Sequence, residues 1–226
     1  MGCQISRYKR NYPPSEVRTS SSQVKQKLRD GDCKFFTQAR AKLARDYILV
    51  IDHSGSMMGE NWAAAEEAVE FFASSICDFD PDGVSVILFD HDVLKFENVR
   101  DPEFIKNLFM SHSPYGSTDL AKALDVAFQE HFASKRGAST VLVITDGAPD
   151  SQDDVESVIK KAAASITSDE ELSISFVQIG RDADARTFLK FLDDELNAKF
   201  DIVDVVVPSD FQEMSFADVI KKSLSD

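Results

Sequence analysis

The chain has 226 residues, 43% of them apolar and 10% aromatic, so it is long enough to bury one large hydrophobic core. Its three cysteines, Cys3, Cys33 and Cys77, form no C-x-x-C pair, which argues against a disulfide framework or a zinc site and favours a reducing compartment. The net charge is −14, yet residues 1–45 carry eleven Lys and Arg against three Asp and Glu, whereas residues 46–226 carry fourteen against thirty-six. Because so acidic a body repels phosphate backbones, nucleic acid is not an expected partner.

The first ten residues carry three signals for attachment to a membrane. Residues 1–6 fit the M-G-x-x-x-[ST] pattern, which predicts N-myristoylation of Gly2, and Cys3 beside it is a candidate for S-palmitoylation. Basic side chains follow within residues 7–10, and an acyl chain holds a protein stably when a second chain or a basic cluster assists it. The alternative is an ordinary start in which Gly-Cys occurs by chance. The pattern predicts an intracellular protein, in the cytoplasm and at the cytosolic face of a membrane, with the plasma membrane as the expected one.

The chain divides into three predicted regions. Residues 1–32 contain two adjacent prolines and a run of serines with little apolar periodicity, which predicts a flexible basic tether. Residues 33–44 predict a short amphipathic helix that packs against the domain edge or, as the weaker alternative, lies on the membrane. Residues 45–226 form the predicted folded domain. No run reaches the roughly 20 apolar residues needed to cross a bilayer, and no signal-type apolar region follows the basic start.

The body of the chain alternates apolar runs of strand length with longer segments of helical period, which is typical of a parallel sheet with crossover helices. The predicted strands are Tyr47–Asp52, Val84–Phe89, Val93–Val99, Thr140–Thr145, Leu172–Ile179 and Phe200–Val207. The predicted helices cover about 61–77, 101–110, 119–135, 153–168, 182–196 and 215–224. The link 90–92 is too short for a crossover, so the third strand must return antiparallel at the edge. The fold class is therefore α/β: a doubly wound, mostly parallel six-stranded sheet in the order 3-2-1-4-5-6, flanked by helices on both faces.

Polar side chains follow the first and fourth predicted strands. Asp52 ends the first strand and is followed by Ser54 and Ser56, and Asp146 follows the fourth. The expected strand order makes these two strands neighbours at the point where the winding of the sheet reverses, and ligands bind in the crevice there. A further ligand should come from a loop that enters this crevice, and Thr118 is the candidate. Carboxylate and hydroxyl oxygens are the hard ligands that Mg²⁺ and Ca²⁺ prefer.

These residues resemble the metal ion-dependent adhesion site (MIDAS) of the von Willebrand factor type A (vWA) family, whose pattern is D-x-S-x-S, then a Thr, then an Asp. The five matching residues, in order, are Asp52, Ser54, Ser56, Thr118 and Asp146. The resemblance extends over the whole predicted folded domain and implies the fold described above. It also implies that Ser54, Ser56 and Thr118 ligate the metal directly. Asp52 and Asp146 would hold it largely through water, and one position would stay open for an acidic group of a partner.

The resemblance implies a metal-dependent protein-binding module of the adhesion or adaptor type. Because few carboxylates would contact the ion directly, the cation would keep positive charge and attract a Glu or Asp of another protein. Mg²⁺ is the expected ion inside a cell, with Ca²⁺ and Mn²⁺ as alternatives. No catalytic residue and no small-molecule substrate are expected, and the sequence names no particular partner protein.

Three alternatives compete with this interpretation. The polar residues could only cap helices and close turns, since Ser, Thr and Asp are common there. The site could belong to a metal-dependent hydrolase or phosphotransferase. Against that, a haloacid dehalogenase-type phosphatase needs Asp where Ser54 stands, and the sequence has no G-x-S-x-G elbow or Walker loop. The protein could also be an adaptor whose metal is only structural.

Two further groups of polar residues are not expected to be ligands of the site. The first group is made of the histidines His53, His91, His112 and His131. They are scattered along the chain, and the ring of His53 is expected to point away from the metal. The second group is made of Asp150, Asp153 and Asp154. These follow the Asp146 loop and are predicted to form a solvated acidic face or, as the weaker alternative, to influence the rim of the site.

Overall fold

The computed structural model describes residues 45–76, 80, 83–134 and 137–206. Three predictions lie outside these residues: the tether with Gly2 and Cys3, the helix over 33–44 and the helix over 215–224. Within the described part of the chain, no helix combines the length and the apolar content that crossing a membrane requires.

Strands and helices alternate along the described residues, as the sequence predicts. The strands are β1 (Asp46–Asp52), β2 (Val84–Phe89), β3 (Val93–Val99), β4 (Ser139–Thr145), β5 (Leu172–Gln178) and β6 (Val203–Val206). The helices are α1 (Glu60–Ile76), α2 (Pro102–Ser111), α3 (Leu120–Ala133), α4 (Gln152–Ser165) and α5 (Ala183–Asp194). Short 3-10 turns lie at Gly55–Met57 and Asp169–Glu171.

The six strands form one sheet in the order β3-β2-β1-β4-β5-β6. All neighbouring pairs are parallel except β2 and β3, which are antiparallel. This confirms the predicted fold class, strand order and edge position of β3. In the register of the sheet, Ile51 of β1 lies beside Leu88 of β2 and Ile144 of β4. The carboxyl ends of β1 and β4 therefore lie side by side at the switch point of the sheet.

The central strands are buried because helices cover both faces of the sheet. Every residue of β2, β4 and β5 is buried, which explains the unbroken apolar runs Val86–Phe89 in β2 and Val141–Ile144 in β4. Alternate residues of β1 pack in two separate hydrophobic cores. Leu49 packs in the core that includes residues of α1 and α2, and Val50 packs in the core that includes residues of α3, α4 and α5. The site is thus built on strands that are held firmly from both sides.

Some element ends differ from the predicted ones for local reasons. The fourth helix was expected to reach residue 168, but α4 ends at Ser165. Ile166 takes an extended backbone (φ −85°, ψ 165°) and buries its side chain in the core, so the helix cannot continue through it. The last strand begins at Val203 rather than at Phe200. Periodicity locates an apolar stripe but does not tell where the backbone leaves a helix or joins a sheet.

Candidate metal centre

The two predicted carboxylates lie at the adjoining ends of β1 and β4. Asp52 is the last residue of β1 and its side chain is fully buried, and Asp146 directly follows β4 and is also buried. Burial of a carboxylate is costly unless hydrogen bonds or a cation compensate it. The parallel pairing of the two strands brings these residues to one edge of the sheet although ninety-four positions separate them in the chain.

Asp52 is held by two hydrogen bonds from the chain. Its Oδ1 accepts the backbone N–H of Ser54 at 2.8 Å, and its Oδ2 accepts the hydroxyl of Thr145 at 2.6 Å. Burial raises the pKa of Asp52 to about 6, with a smaller contribution from the nearby charge of Asp146, while the hydrogen bonds act in the opposite direction. The carboxylate is therefore fixed in orientation, in surroundings that would favour a compensating positive charge.

A chain of hydrogen bonds connects the two serines to the second carboxylate. The hydroxyls of Ser54 and Ser56 lie 3.0 Å apart, and the hydroxyl of Ser56 donates to Oδ1 of Asp146 at 2.8 Å. Ser54 is buried, whereas Ser56 is exposed. The structure thus brings the residues of the D-x-S-x-S segment and Asp146 into one cluster of oxygen atoms. Their role as metal ligands stays a prediction.

Asn61, which the sequence analysis did not single out, also belongs to this cluster. Its Nδ2 donates to Oδ2 of Asp146 at 2.6 Å and to the backbone carbonyl of Ser56 at 3.3 Å. Each oxygen of the Asp146 carboxylate consequently accepts one hydrogen bond from a side chain of the first loop or of α1. Asn61 lies beyond Ser56, the last residue of the D-x-S-x-S segment, and the motif has no position for it. The sequence pattern therefore gives no indication that Asn61 belongs to the site.

Thr118 lies on a loop that pairs with the D-x-S-x-S segment. The backbone N–H of Gly55 donates to the carbonyl of Gly116 at 3.1 Å, and the N–H of Tyr115 donates to the carbonyl of His53 at 2.8 Å. Thr118 is itself 8% exposed, two residues beyond this pairing. The third predicted segment is thereby held against the first, at the same end of the sheet as the carboxylates.

The ring of His53 packs among aromatic side chains on α1 and beside α2. Its centroid lies 5.5 Å from that of Trp62 and 5.9 Å from that of His112. Nδ1 of His53 is 3.5 Å from Oδ2 of Asp90, and burial lowers the pKa of His53 in spite of that carboxylate. These contacts show a packing role for the ring, and the expectation that it is not a ligand stays a prediction.

The donor set of the cluster can accept a divalent cation of the hard class. Its side chains offer carboxylate and hydroxyl oxygens, which suit Mg²⁺, Ca²⁺ or Mn²⁺ better than softer metals. Among the residues that the structure describes, no three His, Cys, Asp or Glu side chains are grouped so as to hold a metal ion. An ion at this place would therefore depend on the serine and threonine hydroxyls as much as on the two aspartates.

Solved structures of other proteins share this fold. The manganese-loaded TRAP protein of Plasmodium vivax is 19% identical over 81% of this chain and 74% of its own, with a TM-score of 0.59. A von Willebrand factor type A protein from Catenulispora acidiphila is 16% identical over 79% of this chain and 42% of its own, with a TM-score of 0.56. The D319A mutant of the PilB minor pilin from Streptococcus sanguinis is 10% identical over 80% of this chain and 59% of its own, with a TM-score of 0.57. At these identities the likeness concerns the fold alone.

Comparison of the sequence with family models identifies the family to which the chain belongs. No curated protein sequence is detectably similar to the chain. A family model, the von Willebrand factor type A domain, matches residues 46–203, which are most of the chain and nearly all of its described part. The protein therefore belongs to the von Willebrand factor type A domain family, whose members generally act as protein-interaction and adhesion modules.

Proposed function

We propose that this domain binds an acidic residue of a partner protein through a divalent cation held at the carboxyl ends of β1 and β4. The observation that carries the proposal is the hydrogen-bonded cluster of Ser54, Ser56 and Asp146 beside the buried Asp52. Two carboxylates and two hydroxyls converge there, at the place where ligands bind in doubly wound sheets. When bound, the cation supplies a positive charge that attracts a carboxylate.

In this proposal, the hydroxyl and carboxylate residues of the cluster have different roles. Ser54, Ser56 and Thr118 offer hydroxyl oxygens to the ion directly. Asp52 and Asp146 neutralise part of its charge through water and orient the cluster by their hydrogen bonds. Because the direct ligands are mostly neutral, the ion would keep enough charge to bind a partner's Glu or Asp. Mg²⁺ is the proposed ion, with Ca²⁺ and Mn²⁺ as alternatives.

Two exposed apolar side chains beside the cluster support a protein as the partner. Met58 follows the D-x-S-x-S segment and is 67% exposed, and Tyr115 lies on the paired loop and is 68% exposed. Exposed large apolar and aromatic side chains are typical of surfaces that bind other proteins. A small acid in solution would not need them.

The charge around the site explains why a cation would be needed. The carboxylates of Asp52 and Asp146 lie at the site itself, and Asp150 is exposed after β4. A partner carboxylate that approaches these groups is repelled unless a positive charge lies between them. Binding through the ion should for this reason be lost on chelation.

Binding of Mg²⁺ to the purified domain is the first test. Isothermal titration calorimetry should detect one ion per chain, and Ser56→Ala should weaken it. Ser165→Ala, an exposed serine at the end of α4, is the matched control and should bind the ion as the parent does. Asp52→Ala is the stronger variant, because it removes the carboxylate and its bonds to Ser54 and Thr145.

Partner capture is the second test. Proteins retained by the domain in Mg²⁺ should be released by EDTA and should not be retained by Ser56→Ala or Asp52→Ala. Retention that is equal with and without metal, by variants that remain folded, would favour an adaptor whose metal is only structural.

An enzymatic role is not part of the proposal. Both carboxylates of the cluster already accept hydrogen bonds, and the one histidine within the motif, His53, packs against Trp62 and His112. The alternative, a metal-dependent hydrolase or phosphotransferase, predicts turnover on a phosphatase or ATPase panel that Asp52→Ala abolishes. A parent protein that shows such turnover would replace the binding proposal.

We further propose that the N-terminus tethers the domain to the cytosolic face of a membrane. The support is the sequence pattern at Gly2 and Cys3 with the basic residues behind them. In this proposal residues 1–32 are the tether, residues 33–44 a short helix and residues 45–226 the binding domain. Gly2→Ala should move the protein from the membrane fraction to the soluble fraction of a eukaryotic cell, whereas unchanged membrane association would contradict the tether.

A further inference from the structure

Asn61 contacts the candidate site from the first turn of α1. Its side-chain amide donates to Oδ2 of Asp146 at 2.6 Å and to the carbonyl of Ser56 at 3.3 Å. Because a carboxylate only accepts hydrogen bonds, the nitrogen of the amide must be the atom that faces Asp146. The side chain thus connects the loop after β1 with the end of β4.

The neighbouring residue keeps this part of α1 in place. The indole Nε1 of Trp62 donates to the backbone carbonyl of Phe109 at 3.2 Å, and the two rings lie 4.4 Å apart between centroids. The backbone that carries Asn61 is therefore anchored to α2, independently of the contacts that its own amide makes. An anchored backbone lets a side chain act as a fixed support rather than as a mobile surface group.

The other side of the Asn61 amide faces Gly180, at the end of β5. A Cβ atom at position 180 would lie 3.0 Å from Oδ1 and 3.4 Å from Nδ2 of Asn61. Gly180 has a positive φ of 73°, and the N–H of the preceding Ile179 donates to the carbonyl of Thr145 at 2.8 Å. The amide thus occupies a space that the absence of a side chain at position 180 leaves open.

We infer that Asn61 is a positioning residue of the cation site. It fixes the Asp146 carboxylate so that Oδ1 is presented to the hydroxyl of Ser56, and Gly180 provides the space in which the amide does this. The inference rests on the proposed function, since positioning matters here only if the cluster binds a cation. Partners that orient a metal-holding carboxylate commonly contribute tenfold or more to metal affinity.

The test measures Mg²⁺ affinity by isothermal titration calorimetry and, separately, unfolding in urea without metal. Asn61→Ala should weaken Mg²⁺ binding by about tenfold or more. Asn107→Ala, an exposed asparagine on α2, is the matched control and should leave the affinity unchanged. A purely structural role would instead lower metal-free stability and leave the Mg²⁺ affinity of the folded protein as it was.

A second pair of variants reaches Asn61 without altering it or any candidate ligand. Gly180→Ala should displace the amide and weaken Mg²⁺ binding, whereas Gly137→Ala should not. Gly137 is a matched control for the backbone strain, because it has a similar positive φ of 81° but a Cβ there would meet no atom within 4 Å. In Asn61→Ala, adding Gly180→Ala should cause no further loss of affinity, since the group through which it acts is gone.

The outcomes separate this inference from the proposed function. If the parent binds Mg²⁺ and Asn61→Ala binds it equally well, Asn61 does not position the site and the proposed function stands. Additive losses in the double variant would contradict the part assigned to Gly180. If the parent binds no divalent cation, both the proposed function and the inference are overturned.

Discussion

Thr118 and Asp150 hold each other through two hydrogen bonds. The N–H of Thr118 donates to Oδ1 of Asp150 at 3.0 Å, and the N–H of Asp150 donates to the carbonyl of Thr118 at 3.0 Å. The loop that carries the third candidate ligand is thereby joined to the loop after β4. Asp150, for which a solvated acidic face was the favoured expectation and the rim of the site the weaker one, has a specific partner in the site.

The first prediction concerns this pair. Asp150→Ala removes the acceptor for the Thr118 N–H and should cost about 1 kcal/mol of loop stabilisation. If Thr118 is a ligand, Mg²⁺ affinity should fall by about fivefold, because a less ordered loop must be fixed when the ion binds. Asp150→Asn keeps an acceptor oxygen and should retain more of the affinity. Asp153→Ala, an exposed position in the first turn of α4, is the control, and a loss equal to that of Asp150→Ala would indicate a general charge effect.

The fold was predictable from the sequence because the apolar pattern of a strand and the length of its links depend on where the strand lies in the sheet. The run Val141–Ile144 is apolar throughout because both faces of β4 are covered, and the link 90–92 is too short for anything but an antiparallel return. In the strand order 3-2-1-4-5-6, the first and fourth strands are neighbours, so Asp52 and Asp146 must lie at adjacent strand ends. Their proximity is a property of the topology and needed no side-chain information.

The side-chain contacts of Asn61 and Asp150 could not be predicted in the same way. Both residues follow the motif segments at positions where a polar residue is ordinary at a helix start. Both side chains reach a residue of another loop or strand end: Asn61 contacts Asp146 beside the space left by Gly180, and Asp150 contacts Thr118. That information comes from how the helices pack on the sheet and is absent from local periodicity.

A second prediction concerns the turn that presents the Thr118 loop. Gly116 has a φ of 82°, and a Cβ there would lie 2.6 Å from Nδ1 of His91 and 3.3 Å from Cβ of Asp90. Gly116→Ala should therefore lower the free energy of unfolding by more than the roughly 1–2 kcal/mol that a left-handed backbone costs an L-residue. Gly137→Ala, with a φ of 81° and no atom within 4 Å, measures the backbone cost alone. Urea unfolding of the two variants should differ, and equal destabilisation would show that His91 moves aside freely.

A third prediction separates contact with a partner from binding of the ion. Met58→Ser and Tyr115→Ser should weaken capture of a partner identified in Mg²⁺, by about tenfold for the tyrosine, because aromatic side chains often dominate binding surfaces. Neither change removes a candidate ligand, so Mg²⁺ affinity should be unchanged. Phe132→Ser is the control: Phe132 is 47% exposed in the last turn of α3, near the amino end of β1, away from the site. Weakening by Phe132→Ser to the same extent would place the contact elsewhere.

A fourth prediction is a pH dependence at the opposite end of the sheet. His131 is buried in the last turn of α3, and its Nδ1 lies 2.8 Å from the hydroxyl of Ser139. Burial lowers the pKa of His131 from its usual value of 6.5, assisted by the charge of Arg45, while the carboxylates of Glu171 and Asp46 act in the opposite direction. Burial is the largest of these causes, so the folded protein favours the neutral ring.

The sign follows from proton binding in the two states. Below about pH 6.5 the unfolded chain takes up a proton on His131 that the folded protein resists, so the free energy of unfolding should decrease as the pH falls from 7.5 to 5.5. His131→Gln should reduce this decrease, because the group whose proton uptake the folded protein resists is then absent. Urea unfolding at several pH values measures the slope for the parent and the variant. An unchanged slope in His131→Gln would show that other groups carry the pH dependence.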